Sequence, residues 1–258
     1  MYLRGILKKA LIIACGVYSM TQGISVAADQ APIKNVVLVH GAWADGSSWA
    51  KVIPLLQKVG LHVVAVQNPL TSLADDVAAT KRAIDAQDGP VLLVGHSYGG
   101  AVITEAGNNP KVARLVYVAA FGPDTGESLG TTAKNFAPPA VAPEVKPIAD
   151  GFLVLTPKGV TEDFAQDLSA VEKQVLLATQ APTAASVFGA NMTDAAWRHR
   201  SSWYVVAEND RMINPDYERF AAKRMKAEVL ALPTSHVPML SKPKEVAAFI
   251  VAAANGVR

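Results

Sequence analysis

Cysteine is nearly absent from this chain of 258 residues, where the only one is Cys15. Beyond that position no disulfide framework, thiol nucleophile or thiolate metal site is possible. Long apolar runs are missing too. The apolar stretch near the start is Ala10–Tyr18. It is far shorter than the roughly 20 residues that cross a bilayer as a helix. Charged residues make up only 18% against 50% hydrophobic, which excludes a disordered chain. The 18 Gly and 16 Pro exclude collagen-like or low-complexity sequence. Charge of one sign is also lacking. The formal charge is +2, yet residues 1–28 hold Arg4, Lys8 and Lys9 and no acid, which leaves the rest of the chain with 21 basic against 22 acidic side chains. A body that near neutrality gives no electrostatic case for nucleic acid. No P-loop, H-E-x-x-H or dinucleotide fingerprint occurs, because Gly95, Gly99 and Gly100 do not fit G-x-G-x-x-G.

What is present begins with a leader. Residues 1–28 have a basic start, an apolar stretch and small residues ending in Val26-Ala27-Ala28, the layout of a secretory signal cleaved after Ala28 or Ala27. The expected protein is therefore exported, periplasmic or secreted. Ile12-Ile13-Ala14-Cys15 also offers a loose lipobox, but the apolar segment before that cysteine is very short. The fold is then expected over 29–258.

Six short runs are apolar at nearly every position: Val36–Val39, Leu61–Val66, Val91–Val94, Leu115–Val118, Trp203–Val206 and Val229–Leu232. Such runs suit strands of a parallel sheet covered on both faces. Helical patterns lie between them. Asp75–Ala86 puts Val77, Ala78, Ala83 and Ile84 near one face, and Asn214-Pro215-Asp216 starts a helix through Met225. Ser241 with Pro243 and Glu245 starts the last helix. This alternation predicts a doubly wound, mostly parallel six-stranded α/β fold. If the mature chain begins near Asp29, no room remains for an N-terminal hairpin. About eighty residues separate the fourth and fifth strands, too many for a structureless loop. They predict a partly helical cap over about 122–200, with a capping box at Ser169–Glu172 and an irregular crossing segment at Ala137–Pro147.

The chemistry gathers where strands end. Gly95-His96-Ser97-Tyr98-Gly99 follows a buried strand and precedes a helical run, the setting of a G-x-S-x-G nucleophile elbow. Such a turn lifts the Ser97 hydroxyl above the sheet at a helix N-terminus, where free N–H groups favour developing negative charge. A serine hydroxyl needs a base, and the base an orienting acid. His236 follows the last predicted strand and is the candidate base. His40 and His96 belong to motifs whose backbone is expected to matter more than their side chains, His62 opens a strand, and His199 sits in a solvated stretch. Asp210, after the fifth strand, is the candidate acid, with Glu208 and Asp124 as alternatives. The backbone N–H groups of Tyr98 and Ala42 are the candidate oxyanion donors, since Gly41 lets the loop after the first strand come close. Trp43 either lines the pocket or packs at the sheet edge.

These residues together resemble the α/β-hydrolase superfamily over essentially the whole mature chain, most closely small serine esterases of the methyl-salicylate-esterase and hydroxynitrile-lyase branch. The segments carrying the resemblance are VLVHGAWADGSSW, LLVGHSYGG, VYVAAFGPDTGES, YVVAENDRMINP and SHVPMLSKP. It implies a serine hydrolase acting through an acyl-enzyme on a small-molecule ester, without metal or organic cofactor. Lyases of that branch tend to carry Thr where this chain has Gly41, and Lys where it has Val237, so ester cleavage is the expected chemistry. Hydroxynitrile lyase, perhydrolase or C–C hydrolase chemistry on the same triad, and a non-catalytic binding protein, are the alternatives. Phe121, Phe136, Phe152, Phe164, Phe188 and Trp197 are candidates for an apolar pocket and equally for core. The sequence carries no signature of oligomeric state.

Overall fold

Unbroken β-branched and aliphatic runs have no polar face to offer water, so they pair into a sheet that helices cover. A computed structural model describes residues 33–257; the expected leader and Cys15 lie outside the described residues. Four strands come first: β1 (Asn35–Val39), β2 (His62–Ala65), β3 (Val91–His96) and β4 (Val112–Val118). Three short ones follow, β5 (Val145–Pro147), β6 (Phe152–Leu155) and β7 (Thr183–Ala184), and then β8 (Ser201–Ala207) and β9 (Glu228–Leu232). The main sheet has six strands in the order β2-β1-β3-β4-β8-β9, and every pairing in it is parallel. Each of the six apolar runs is one of these strands.

The helices are α1 (Ile53–Lys58), α2 (Leu73–Asp85), α3 (Gly99–Ala106), α4 (Leu129–Thr132), α5 (Ala170–Thr179), α6 (Pro215–Arg224), α7 (Pro238–Ser241) and α8 (Pro243–Ala254). Alternate strand residues face two separate cores. Val37, Val39, Leu93, Tyr117 and Tyr204 pack with α2, α3 and α6 residues. Val36, Leu38, Leu92, Val116 and Trp203 pack with α1 and α8 residues. Both faces of the central strands β1, β3, β4 and β8 are therefore covered, as continuous apolar runs require, while the edge strands β2 and β9 are partly exposed. Side-chain caps start α2, α4, α5 and α6. Ser72 accepts the Asp75 N–H and begins α2 two residues before the Asp75 expected from periodicity. Asn214 caps α6 with Pro215 in its first turn, as read from sequence. The expected start at Ser241 is corrected. That residue ends the short α7, its hydroxyl bonds Asp167 and the Val237 carbonyl, and α8 begins at Pro243 without a side-chain cap.

Between β4 and β8 the cap is partly helical, and it also holds an antiparallel sheet in the order β5-β6-β7 that the apolar pattern did not signal. The stretch 137–147, expected to be irregular throughout, ends in a 3₁₀ turn and then β5. The capping box at α5 is formed: Ser169 accepts the Glu172 N–H, and the Glu172 carboxylate accepts the Ser169 N–H.

The order β2-β1-β3 means that the chain leaves β1 in one direction and returns on its other side. The crevice beyond the carboxyl ends of β1 and β3 is the switch point at which open α/β sheets place their sites.

Candidate active site

The loop after β3 is shaped by what cannot fit in it. Ser97 sits at φ +55°, a left-handed conformation that non-glycine residues adopt only when the surroundings hold it. A Cβ at Gly95 would lie 2.5 Å from the Gly99 carbonyl oxygen, and one at Gly99 would lie 2.7 Å from that of Val39. Only glycine at both positions lets the chain double back from strand into α3 against the end of β1. Gly41 is set equally close, since a Cβ there would be 2.6 Å from Cβ of Ser97.

His236 lies in the loop after β9 and Asp210 in the loop after β8. His236 Nδ1 and Asp210 Oδ2 are 2.6 Å apart with both side chains fully buried. The other carboxylate oxygen of Asp210 accepts the N–H groups of Met212 at 2.6 Å and Ile213 at 2.9 Å, which fixes its orientation. His236 Nε2 is buried and makes no hydrogen bond, so the Ser97–His236 link of the expected relay is not closed in this structure. Catalytic hydrogen bonds of this type commonly tighten only with substrate bound. The alternatives to Asp210 are elsewhere: Glu208 is exposed, and Asp124 is paired with Arg198 at 2.6 Å. His199 is exposed as expected, 3.7 Å from Asp194.

The candidate oxyanion donors are both buried. Neither the Ala42 nor the Tyr98 N–H is donated to another described residue. The Tyr98 side chain points away into the core, where its hydroxyl donates to Asp76 at 2.6 Å. Burial pushes the Asp76 carboxyl above the usual range, and burial together with the Asp76 charge pushes the Tyr98 phenol up as well. Trp43 is half-buried and, at φ +57°, also left-handed. It stacks on Phe188 with ring centroids 5.6 Å apart, so it packs on the cap and not at the sheet edge. Of the other candidate pocket aromatics, Phe164 packs on His236 at 5.3 Å, Phe121 and Phe136 pack on Tyr217, and Trp197 belongs to the core.

Two histidine side chains read as bystanders to their motifs carry specific bonds, which corrects that expectation. His96 Nε2 donates to the His236 carbonyl at 2.8 Å. Burial, and then the neighbouring His236, hold the His96 imidazole well below its usual pKa, so it is neutral and its Nδ1 keeps a bare lone pair. His40 Nε2 accepts the Asn68 N–H at 2.9 Å, which leaves the proton on Nδ1 to donate to the Gly41 carbonyl at 2.9 Å. In each ring the bond at one nitrogen fixes the tautomer at the other. Pattern reading missed these roles because a histidine inside a motif gives no sign of where its ring points.

One further buried acid adjoins the site. Glu218 of α6 is fully buried, with Oε2 accepting the Ala207 N–H at 2.9 Å. Desolvation, and then the adjacent Asp210, push its carboxyl well above the glutamate range. Among the described residues no group of three or more His, Cys, Asp or Glu side chains could hold a metal ion, and no helix is long and apolar enough to cross a membrane.

Residues 36–249 match the family model described as "Alpha/beta hydrolase family". The chain belongs to that family. Within this hydrolase family, Methylesterase 2 of Arabidopsis thaliana is 25% identical over 272 residues, covering 86% of this chain and 96% of that protein. It lies in the branch that the sequence motifs resemble. A carbendazim hydrolyzing esterase of Nocardioides sp. (strain SG-4G) is 34% identical over 122 residues, 42% of this chain and 50% of that protein, so the chain matches half of that relative's length. The crystal structure of a pyrethroid hydrolase from Sphingobium faniae JZ-2 superposes with a TM-score of 0.74 at 21% identity, over 86% of this chain and 97% of that one. At that identity the likeness is one of fold. As a member of this family the chain is an enzyme of the hydrolase class.

Proposed function

We propose that this hydrolase is a carboxylesterase using Ser97 as nucleophile, His236 as base and Asp210 as orienting acid. The observation that carries the reading is the fully buried His236–Asp210 pair at 2.6 Å behind a left-handed Ser97. With Nδ1 donating to Asp210, the lone pair of His236 is on Nε2, the atom left without a partner. His236 takes the Ser97 proton as Oγ attacks the ester carbonyl, and the Ala42 and Tyr98 N–H groups receive the developing oxyanion. Collapse of the tetrahedral adduct breaks the ester C–O bond. His236 passes its proton to the leaving alcohol, and water then repeats the sequence on the acyl-enzyme to release the acid.

Ester cleavage is favoured over the lyase alternative by two positions. A threonine side chain at Gly41 would collide with Ser97, and Val237, where lyases of the branch carry lysine, is a buried apolar side chain. The half-buried Trp43–Phe188 stack beside the Ala42 loop supports small to medium apolar or aromatic esters as substrates. The names of the relatives, a methylesterase and a carbendazim esterase, support the same class. Export through the leader at 1–28 belongs to this proposal. N-terminal sequencing of the protein from the periplasm or medium tests it, the expected start being Ala28 or Asp29.

Replacing Ser97 by alanine should lower kcat on p-nitrophenyl esters by at least ~10⁴-fold while circular dichroism stays native. A folded Ser97→Ala protein with wild-type turnover would remove the reading. A series of p-nitrophenyl esters by chain length reads the substrate class, and turnover of cyanohydrins in preference to esters would transfer the triad to the lyase alternative.

A further inference from the structure

The two loops that carry the candidate oxyanion donors are held from one place, the two-residue strand β7 of the cap. Thr183 is fully buried, and its Oγ1 accepts the backbone N–H of Trp43 at 3.0 Å. Its antiparallel partner in β6 is Leu153, whose carbonyl accepts the Trp43 indole N–H at 3.0 Å. One rung of the cap sheet thus grips one residue at both its backbone and its side chain. That residue is left-handed and directly follows Ala42. Without that acceptor, nothing else among the described residues would hold the Trp43 backbone nitrogen in this conformation. The neighbouring residue reaches the second donor. The Ala184 N–H donates to the Leu70 carbonyl at 2.9 Å, the Leu70 N–H donates to Asp76 at 2.8 Å, and Asp76 accepts the Tyr98 hydroxyl.

We propose that Thr183 is a positioning residue for the oxyanion hole: its hydroxyl oxygen fixes the Ala42–Trp43 peptide so that the Ala42 N–H stays aimed at the Ser97 site. The cap is then part of the catalytic frame as well as a cover. This rests on the serine-esterase reading above. The hydroxyl takes no part in bond making or breaking. It acts by holding a main-chain group whose own side chain cannot be mutated to test it.

Thr183→Val removes the acceptor at constant shape, and Thr183→Ser keeps it. The expected result for Thr183→Val is a kcat lowered ~10–100-fold with KM within about threefold, below the ~10²–10³ of losing a donor outright. Affinity for an arylboronic acid, whose tetrahedral serine adduct needs the oxyanion hole, should fall by the same factor as kcat. Thr183→Ser should return both to within about threefold of wild type. A packing defect alone would lower the melting temperature without moving the boronate affinity per labelled site. If Thr183→Val does not fold, Trp43→Phe severs the other half of the grip, the indole donor to the Leu153 carbonyl, and should show the same split. Wild-type kcat and boronate affinity in a folded Thr183→Val, or in Trp43→Phe where that variant stands in, would overturn the inference. Fluorophosphonate labelling separates the two levels. A wild-type protein not labelled at Ser97 defeats the esterase reading itself, whereas labelling with unaffected variants defeats only the role of Thr183.

Discussion

Glu218 shows how a single side chain can link catalysis to stability. Its carboxyl is fully buried, faces Asp210 from α6, and has Tyr204 of β8 and Arg219 of its own helix as the other charged or titratable neighbours. Because its folded pKa is raised, the native state keeps a proton that the unfolded chain releases above the ordinary glutamate value of about 4.3. The native state binds more protons than the unfolded one in that window, so the stability this group contributes falls as pH rises. Glu218→Gln is isosteric, can still accept the Ala207 N–H, and does not titrate. Its stability should match wild type near about pH 4 and exceed it increasingly from about pH 5 toward 8, as read from urea unfolding at each pH. Parallel wild-type and variant curves across that range would mean that Glu218 ionises normally. Sequence reading placed Ser97, His236 and Asp210 through motif, chain order and strand ends. It had no means to find Glu218, because an acid in the first turn of a helix reads as a surface partner of the helix dipole.

At the scale of elements, one short piece of the cap braces both loops of the His236–Asp210 pair. Gly159–Phe164 is wound as a π-helical turn, a form that concentrates at functional sites. Asp163 accepts from Arg211 at 2.6 Å, and Gln166 donates to the Asn209 carbonyl at 2.6 Å, so the residues on either side of Asp210 are held. Asp167 accepts the Ser235 N–H at 2.9 Å, next to His236. Phe164 meets the His236 ring at 5.3 Å and the His96 ring at 6.3 Å, both near edge-on. Phe164→Ala should therefore cost about 3–4 kcal/mol in denaturant unfolding, the range for emptying a buried aromatic site, and lower kcat on esters as well. A cost below about 1 kcal/mol, the size of an ordinary substitution, would make this segment peripheral. The main sheet was legible because buried parallel strands are apolar throughout, and α5 because its capping box is local chemistry. The cap sheet was not: β5 and β7 have three and two residues, too few for any periodicity, and their register is set by contacts distant in sequence.

Across the whole molecule, the open parallel sheet divides its labour between two ends. Ser97, Asp210, His236 and the Ala42 loop all lie beyond the carboxyl ends of strands, while the opposite end carries an interaction concerned with holding the chain together. Arg114, near the start of β4, is 1% exposed and donates from Nη1 to the Ala253 and Ala254 carbonyls at 3.1 and 2.8 Å. These are the last carbonyls of α8, where among the described residues only Ala253 has a further backbone donor in the turn that follows, the Gly256 N–H at 3.1 Å, and a cation there also meets the negative end of the helix dipole. The Ile33 N–H bonds the same Ala254 carbonyl at 2.9 Å, and the Trp203 indole reaches the Val257 carbonyl at 3.2 Å. Gly256 fits beneath the guanidinium at φ +68°, where a Cβ would be 2.8 Å from Nη2. Arg114→Ala removes at least these two charge-assisted hydrogen bonds, each worth about 1.5–3 kcal/mol, and recovers part of the cost of burying the cation. The net loss should be about 2–4 kcal/mol by chemical denaturation. Because the site is at the other end of the strands, kcat and KM on a p-nitrophenyl ester should stay within about twofold of wild type. A variant that loses turnover in proportion to stability would show that the two ends of the sheet are coupled, and that α8 docking helps to set the His236 loop just before it.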